Sequence, residues 1–184
     1  MPMAWTFRFL EEIALADIAF EAEGESVEEV FHGATQALLE SMATPSTVAE
    51  TWERTIERSD VDPSALLFEW LSEVVYWKDA AGVVYREAPL TLTHEHDVWL
   101  LRVRLIGAPV DQQTQELHAD VKGVTKHLYE LKQTGDRWSV RVVLDVLQDA
   151  EKVRQHRSRI AQRPNVPKGT PRLFARCGLA GQPF

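Results

Sequence analysis

Two helix starts are written into residues 1–147, and after the second helix the pattern changes to strands alone. Ser26-Val27-Glu28-Glu29 is a capping box. Its serine can accept the backbone N–H three residues on, and its glutamate can reach back to a free N–H ahead of the helix. Val27, Val30, Phe31, Ala34, Leu38 and Met42 then recur at helical spacing. They predict a helix to about Met42 with one buried face. Asp62 before Pro63 opens the second helix, because proline in the first helical position forfeits no hydrogen bond. From Ser64 to about Trp77 this helix is rich in large apolar residues (Leu66, Leu67, Phe68, Trp70, Leu71, Val74, Val75). Burial nearly all round, at the centre of the core, is expected for it, and Gly82 ends it.

The remaining segments alternate apolar and polar residues with the period of two that marks strands. Strands are expected over Trp5 to Leu10, Ile13 to Ala22, Val48 to Arg58, Val83 to Leu92 and Val98 to Ile106. Glu116 to Lys126, Leu128 to Gln133 and Trp138 to Val146 follow. This order lacks the strict strand–helix alternation of a doubly wound sheet. It predicts an α+β fold, a two-layer sandwich in which a mixed, largely antiparallel sheet is covered by two helices.

The net charge of −8 over 184 residues averages two unlike parts. Residues 1–147 hold 12 Lys/Arg and 26 Asp/Glu, a balance of −14. Residues 148–184 hold 8 and 2, a balance of +6, together with four of the nine prolines. One acidic domain, 1–147, followed by a basic C-terminal extension, 148–184, is the expected organisation. Within the extension, Ala150 to Arg163 carries only a thin helical stripe. The acidic domain is a poor candidate for gripping a nucleic-acid backbone by itself, which takes clustered Lys and Arg. The extension either solubilises the chain or contacts RNA or an acidic partner. The lone cysteine, Cys177, cannot form an internal disulfide and reads as an incidental thiol of a reduced compartment. With no apolar run near the roughly 20 residues of a membrane span and no apolar signal core, a soluble cytoplasmic protein is expected.

Phosphate-cradling, dinucleotide-binding, zinc-protease and hydrolase signatures are all missing. His94-Glu95-His96 is the one close histidine pair, and it is either a metal-binding strand edge or a solvated loop. Two carboxylates stand where patterning does not ask for them. Asp17 interrupts Leu15-Ala16-Asp17-Ile18-Ala19-Phe20, and Asp145 interrupts Val142-Val143-Leu144-Asp145-Val146. Aspartate is disfavoured in strands. Each is either an ion-pair partner, with Arg102, Arg104 or Arg141 as candidates, or half of a shared oxygen-rich cation site.

Three stretches resemble the archease family: Ala16-Asp17-Ile18-Ala19-Phe20 with the Gly24 to Phe31 helix start, Leu67 to Tyr76, and Glu116 to His127 with the closing Val142 to Val146. They occur in the family's order and span residues 5–146. The resemblance implies a protein that is not itself an enzyme but an accessory factor of the RtcB-type RNA-splicing ligase. That ligase joins a 2′,3′-cyclic phosphate or 3′-phosphate end to a 5′-hydroxyl. The accessory factor promotes its GTP-dependent guanylylation and its multiple turnover, in tRNA splicing or RNA repair. The resemblance also implies a divalent-cation site, Ca²⁺ or Mg²⁺, made by Asp17, Asp145 and an oxygen of Val146, with Lys122 as a contact to nucleotide or partner. RNA would be met only indirectly, or through the basic extension.

Two departures bear on that site. Ile13 and Ala14 stand where the family usually carries polar residues, and the chain runs 38 residues past Val146, where the family's chain normally stops. Loss of the terminal carboxylate predicts weaker cation binding than is usual in the family. The alternatives are a metal-dependent phosphohydrolase using the same carboxylates with Glu21 as base, and a non-catalytic structural adaptor.

Overall fold

The computed structural model describes residues 4–10 and 17–147. Both helix starts form where the capping residues place them. Helix α1 (Val27–Met42) begins at Ser26, whose Oγ accepts the Glu29 N–H at 3.2 Å. The Glu29 carboxylate in turn accepts the N–H groups of Glu25 and Ala4, so the box is closed one residue ahead of the cap. Helix α2 (Pro63–Ala81) begins at Asp62, whose carboxylate accepts the Ser64 N–H, and stops at Gly82 in the left-handed conformation. Among the described residues, no helix is long and apolar enough to cross a membrane.

The strands are β1 (Thr6–Phe9), β2 (Ile18–Gly24), β3 (Trp52–Asp60), β4 (Val83–Glu87), β5 (Leu90–Glu95), β6 (Val98–Pro109), β7 (Val121–Thr134) and β8 (Arg137–Val146). The architecture is α+β as expected. The strands, however, form two sheets, and every pairing between them is antiparallel. The first runs β1-β2-β8-β7. In the second, β3 lies on one edge of β6, and β4 and β5 follow one another along the other. The single strand expected over Val83 to Leu92 is broken at Ala88-Pro89, next to a bulge at Arg86. Proline there has no N–H to give the ladder. Of the two strands expected over Glu116 to Gln133, Glu116 to Asp120 form no strand beyond a lone bridge from Leu117 to Ala43, and the rest is one long strand, β7, interrupted by bulges.

The roles expected of the helices are exchanged. Eleven of the 16 residues of α1 are buried, whereas α2 buries one face (Leu66, Leu67, Trp70, Leu71, Val74, Val75) and exposes Glu69 and Tyr76. Size explains the exchange. Small residues let neighbours close in on α1 from several sides: a Cβ on Gly33 would lie 3.2 Å from that of Ala22 and 3.3 Å from the Thr6 carbonyl. On α2 only Trp70 of the aromatic residues enters the core, whereas Phe68 and Trp77 stay half-buried and Tyr76 is exposed. Both helices touch strands of both sheets, and side chains of both sheets enter one core with Phe31, Leu38, Trp70 and Leu71. The buried polar groups of this core are satisfied. Trp70 Nε1 donates to Thr35 Oγ1 at 2.9 Å, and Ser41 Oγ donates to the Leu38 carbonyl at 2.6 Å.

Outside this core, three buried atoms have no partner among the described residues: His32 Nε2, Thr125 Oγ1 and Arg141 Nε, of which the His32 imidazole is the group that burial shifts most plainly. Burial holds its pKa below the ordinary 6.5, against the raising effect of Glu28 and Glu29. Protons therefore bind the unfolded chain more readily than the native one. Stability is expected to be full above about pH 6.5 and to decline as pH falls toward the depressed native value. Urea midpoints measured from about pH 8 down to pH 5 should show a shallower decline for His32→Leu than for wild type. Parallel profiles would assign the acid sensitivity to other groups.

Candidate functional site

The β2/β8 ladder brings the two anomalous aspartates together. Ile18 pairs with Leu144, so Asp17, one residue before, and Asp145, one residue after, stand at the same end of adjacent strands. Both side chains are exposed. On β8, Val140, Val142, Leu144 and Val146 enter the core, which turns Asp145 to the opposite face as its position in the alternation requires. Neither carboxylate forms an ion pair with another described residue. Arg102 pairs with Glu57, Arg104 with Glu53 and Arg141 with Glu21, so the adaptor's expected ion pairs with Asp17 and Asp145 do not form.

Glu21, the base of the phosphohydrolase alternative, is engaged elsewhere. Arg8 lies 2.8 Å from one of its carboxylate oxygens and Arg141 3.3 Å from the other. Burial pushes its pKa up, but these two guanidinium groups outweigh burial and hold it below the usual range. Four residues along β2 also separate it from Asp17, roughly 13 Å of strand. A carboxylate so clamped and so placed is a poor proton acceptor for chemistry at Asp17 and Asp145.

Strand β7 supplies the third side of the site. Gly123 pairs with Asp145 and Val121 with Val146, and the register shift between them leaves Lys122 as an exposed bulge residue. Val146 buries its side chain, and the Leu147 N–H after it donates to the Asp120 carbonyl at 2.9 Å. The Asp120 carboxylate is held by Lys78 of α2 at 2.6 Å, and Lys78 also meets Asp79 at 2.7 Å. Burial pulls the Lys78 pKa down, but the two carboxylates outweigh it, so the ammonium stays charged. His118 secures the segment leading into this strand. Its Nδ1 donates to the Glu40 carbonyl, which can only accept, while Nε2 meets the Thr44 hydroxyl, both at 2.9 Å. Sequence patterning did not single out Lys78 or Asp120, because a lysine near a helix end and an aspartate before a strand are ordinary surface features.

The donor set suits a hard divalent cation in type, being two carboxylates with no competing base, but it is sparse. Among the described residues, no group of three His, Cys, Asp or Glu residues is arranged to hold a metal ion. His94 and His96 do not form a pair. His94, next to last in β5, is stacked on Trp99 at 4.2 Å, whereas His96 and Asp97 form the two-residue turn to β6, both with positive φ. Ile13 and Ala14, Cys177, and the possible helix at Ala150 to Arg163 lie outside the described residues, as does the segment 148–184.

Residues 7–146 match the model of the Archease protein family (MTH1598/TM1083). The chain belongs to the archease family. It is 29% identical over 132 residues to protein archease of Methanosarcina barkeri, covering 71% of this chain and 90% of that one. It is 33% identical over 136 residues to protein archease of Pyrobaculum neutrophilum, again covering 71% and 90%. The solution structure of Methanobacterium thermoautotrophicum protein 1598 superposes with a TM-score of 0.63 at 28% identity, over 76% of this chain and 97% of that one. The match to archease thus spans both sheets and both helices, including β2, β7 and β8 that frame the carboxylate pair.

Proposed function

We propose that this archease is an accessory protein of an RtcB-type RNA-splicing ligase, and that Asp17 and Asp145 are its working residues. The supporting observation is their placement: two exposed carboxylates from opposite ends of the domain's sequence, at the same end of adjacent strands, with no basic partner among the described residues. Such a pair repels itself and gains by sharing a cation. Asp17 and Asp145 would hold a Ca²⁺ or Mg²⁺ ion, with the Val146 carbonyl as a further oxygen donor. When bound, the ion would supply positive charge for phosphate oxygens. Lys122, beside the pair on β7, would add a point charge able to meet a nucleotide phosphate or an acid of the ligase.

The body of the protein carries a balance of −14 over residues 1–147, which favours encounter with a basic RNA-handling enzyme over direct contact with RNA. The protein's part in ligation is then exercised through its partner. The test is ligation of 2′,3′-cyclic-phosphate RNA by the ligase with substrate in excess. Added protein should raise both the guanylylated fraction and the number of turnovers. No change in either would overturn the proposal.

A further inference from the structure

Leu128 has a backbone that its residue type does not explain. Its φ is +56°, in the left-handed region that a bulky L-residue rarely adopts. The other non-glycine residues with positive φ among those described are His96 and Asp97, and their hairpin turn requires it. Leu128 is 44% exposed and lies outside the core, so packing does not repay the strain. Glycine or asparagine would suit the backbone better, yet the position displays a large apolar side chain to solvent.

The surroundings make a projecting knob of it. Thr125 pairs with Val143 and Glu130 with Arg141, so Lys126, His127, Leu128 and Tyr129 face Val142 alone across the ladder. The knob is anchored from below. The Tyr129 hydroxyl donates to the Ser64 carbonyl at 2.7 Å, and its ring meets Phe68 edge-on at 5.2 Å. Lys126 and His127 are exposed beside Leu128, and Lys126 Nζ stands 5.3 Å above the Phe68 ring.

Charge indicates what meets this knob. Nine of the 12 basic residues in the described part of the chain pair with a carboxylate. The other three are Arg54, which lies over Trp77, and Lys122 and Lys126, both on β7. The first half of β7 therefore carries two lysines with no carboxylate partner among the described residues, and the nearer, Lys126, lies two residues from the exposed Leu128.

We propose that the Lys126–Leu128 bulge is a protein-docking knob, whose partner presents an apolar socket rimmed by carboxylates. Resting on the function proposed above, the knob meets the RtcB-type ligase and is a contact separate from the Asp17/Asp145 pair. Leucine in the socket supplies affinity, and the lysine steers association.

Calorimetric and kinetic binding of the full chain to purified ligase tests this. Leu128→Gly should keep or raise the thermal midpoint, since it relieves strain, while weakening binding roughly tenfold or more. Lys126→Glu should slow association by about tenfold at low salt, with the difference shrinking as salt is added. Wild-type affinity in both variants would overturn the knob and leave the ligase reading standing. No binding by wild type would overturn both. A variant pattern in which Lys126→Glu abolishes binding to RNA, and Leu128→Gly changes nothing, would overturn the protein socket in favour of a nucleic-acid contact.

Discussion

Replacing Asp17 and Asp145 together by alanine is expected to abolish stimulation of the ligase and leave the fold intact. The two halves of this expectation have separate grounds. The carboxylates are exposed and have no ion-pair partner among the described residues, so the fold loses no attraction with them, and the relief of their mutual repulsion is slightly favourable. A divalent ion bound between them would lose its main ligands. Either single substitution should weaken cation binding by on the order of tenfold or more, because a unit charge close to the ion at an effective dielectric constant near 20 is worth several times RT. Turnover assays, calorimetric titration with Ca²⁺ and with Mg²⁺, and thermal unfolding together separate the two. Full stimulation by the double variant would remove the pair from the mechanism. Arg141→Ala is a useful contrast, because it loosens Glu21 on the same sheet and should disturb stability more than stimulation.

Trp70→Ala is expected to cost the domain most of its stability. Trp70 is fully buried at the meeting of the helices, and its indole N–H is the partner of the buried Thr35 hydroxyl. Removing it leaves a cavity, at roughly 3–5 kcal/mol, and strands a polar group, at roughly 1–3 kcal/mol. Domains of this size are stable by only about 5–15 kcal/mol. Trp70→Phe separates the two costs, since it keeps most of the volume and loses the donor. Thr35→Val in the Trp70→Phe background should then recover part of the loss, because the hydroxyl that lacks a donor is gone. Urea midpoints of wild type, Trp70→Phe, Thr35→Val and the double variant form the cycle. Simple additivity would show that the hydrogen bond contributes nothing.

Local chemistry made the helices legible. Ser26, Asp62-Pro63 and Gly82 each act on the nearest few N–H or C=O groups, and those contacts formed at the expected positions. Richness in large apolar residues does not tell which helix lies deeper. Depth is set by how closely neighbours can approach, and Gly33, Ala34 and Ala37 decide that for α1. The division into two sheets depends on partners distant in sequence, such as β2 with β8, which no local period encodes. For the site, Asp17 and Asp145 were visible because each breaks an apolar run on the face away from the core. The clamping of Glu21 by Arg8 and Arg141, and the bulges at Lys122 and Leu128, were not visible, since register fixes them. The boundary placed between strands at His127 did mark the second bulge, although the chain continues through it as one strand.

The deep setting of α1 also bears on how the molecule opens. A helix in contact with both sheets is uncovered only when one sheet leaves, and either departure exposes core side chains shared with the other. Partial opening is thereby penalised almost as heavily as complete unfolding. Amide protons of α1 then exchange with solvent mainly through global unfolding events, and the two sheets behave as one cooperative unit despite having no common hydrogen-bonded ladder.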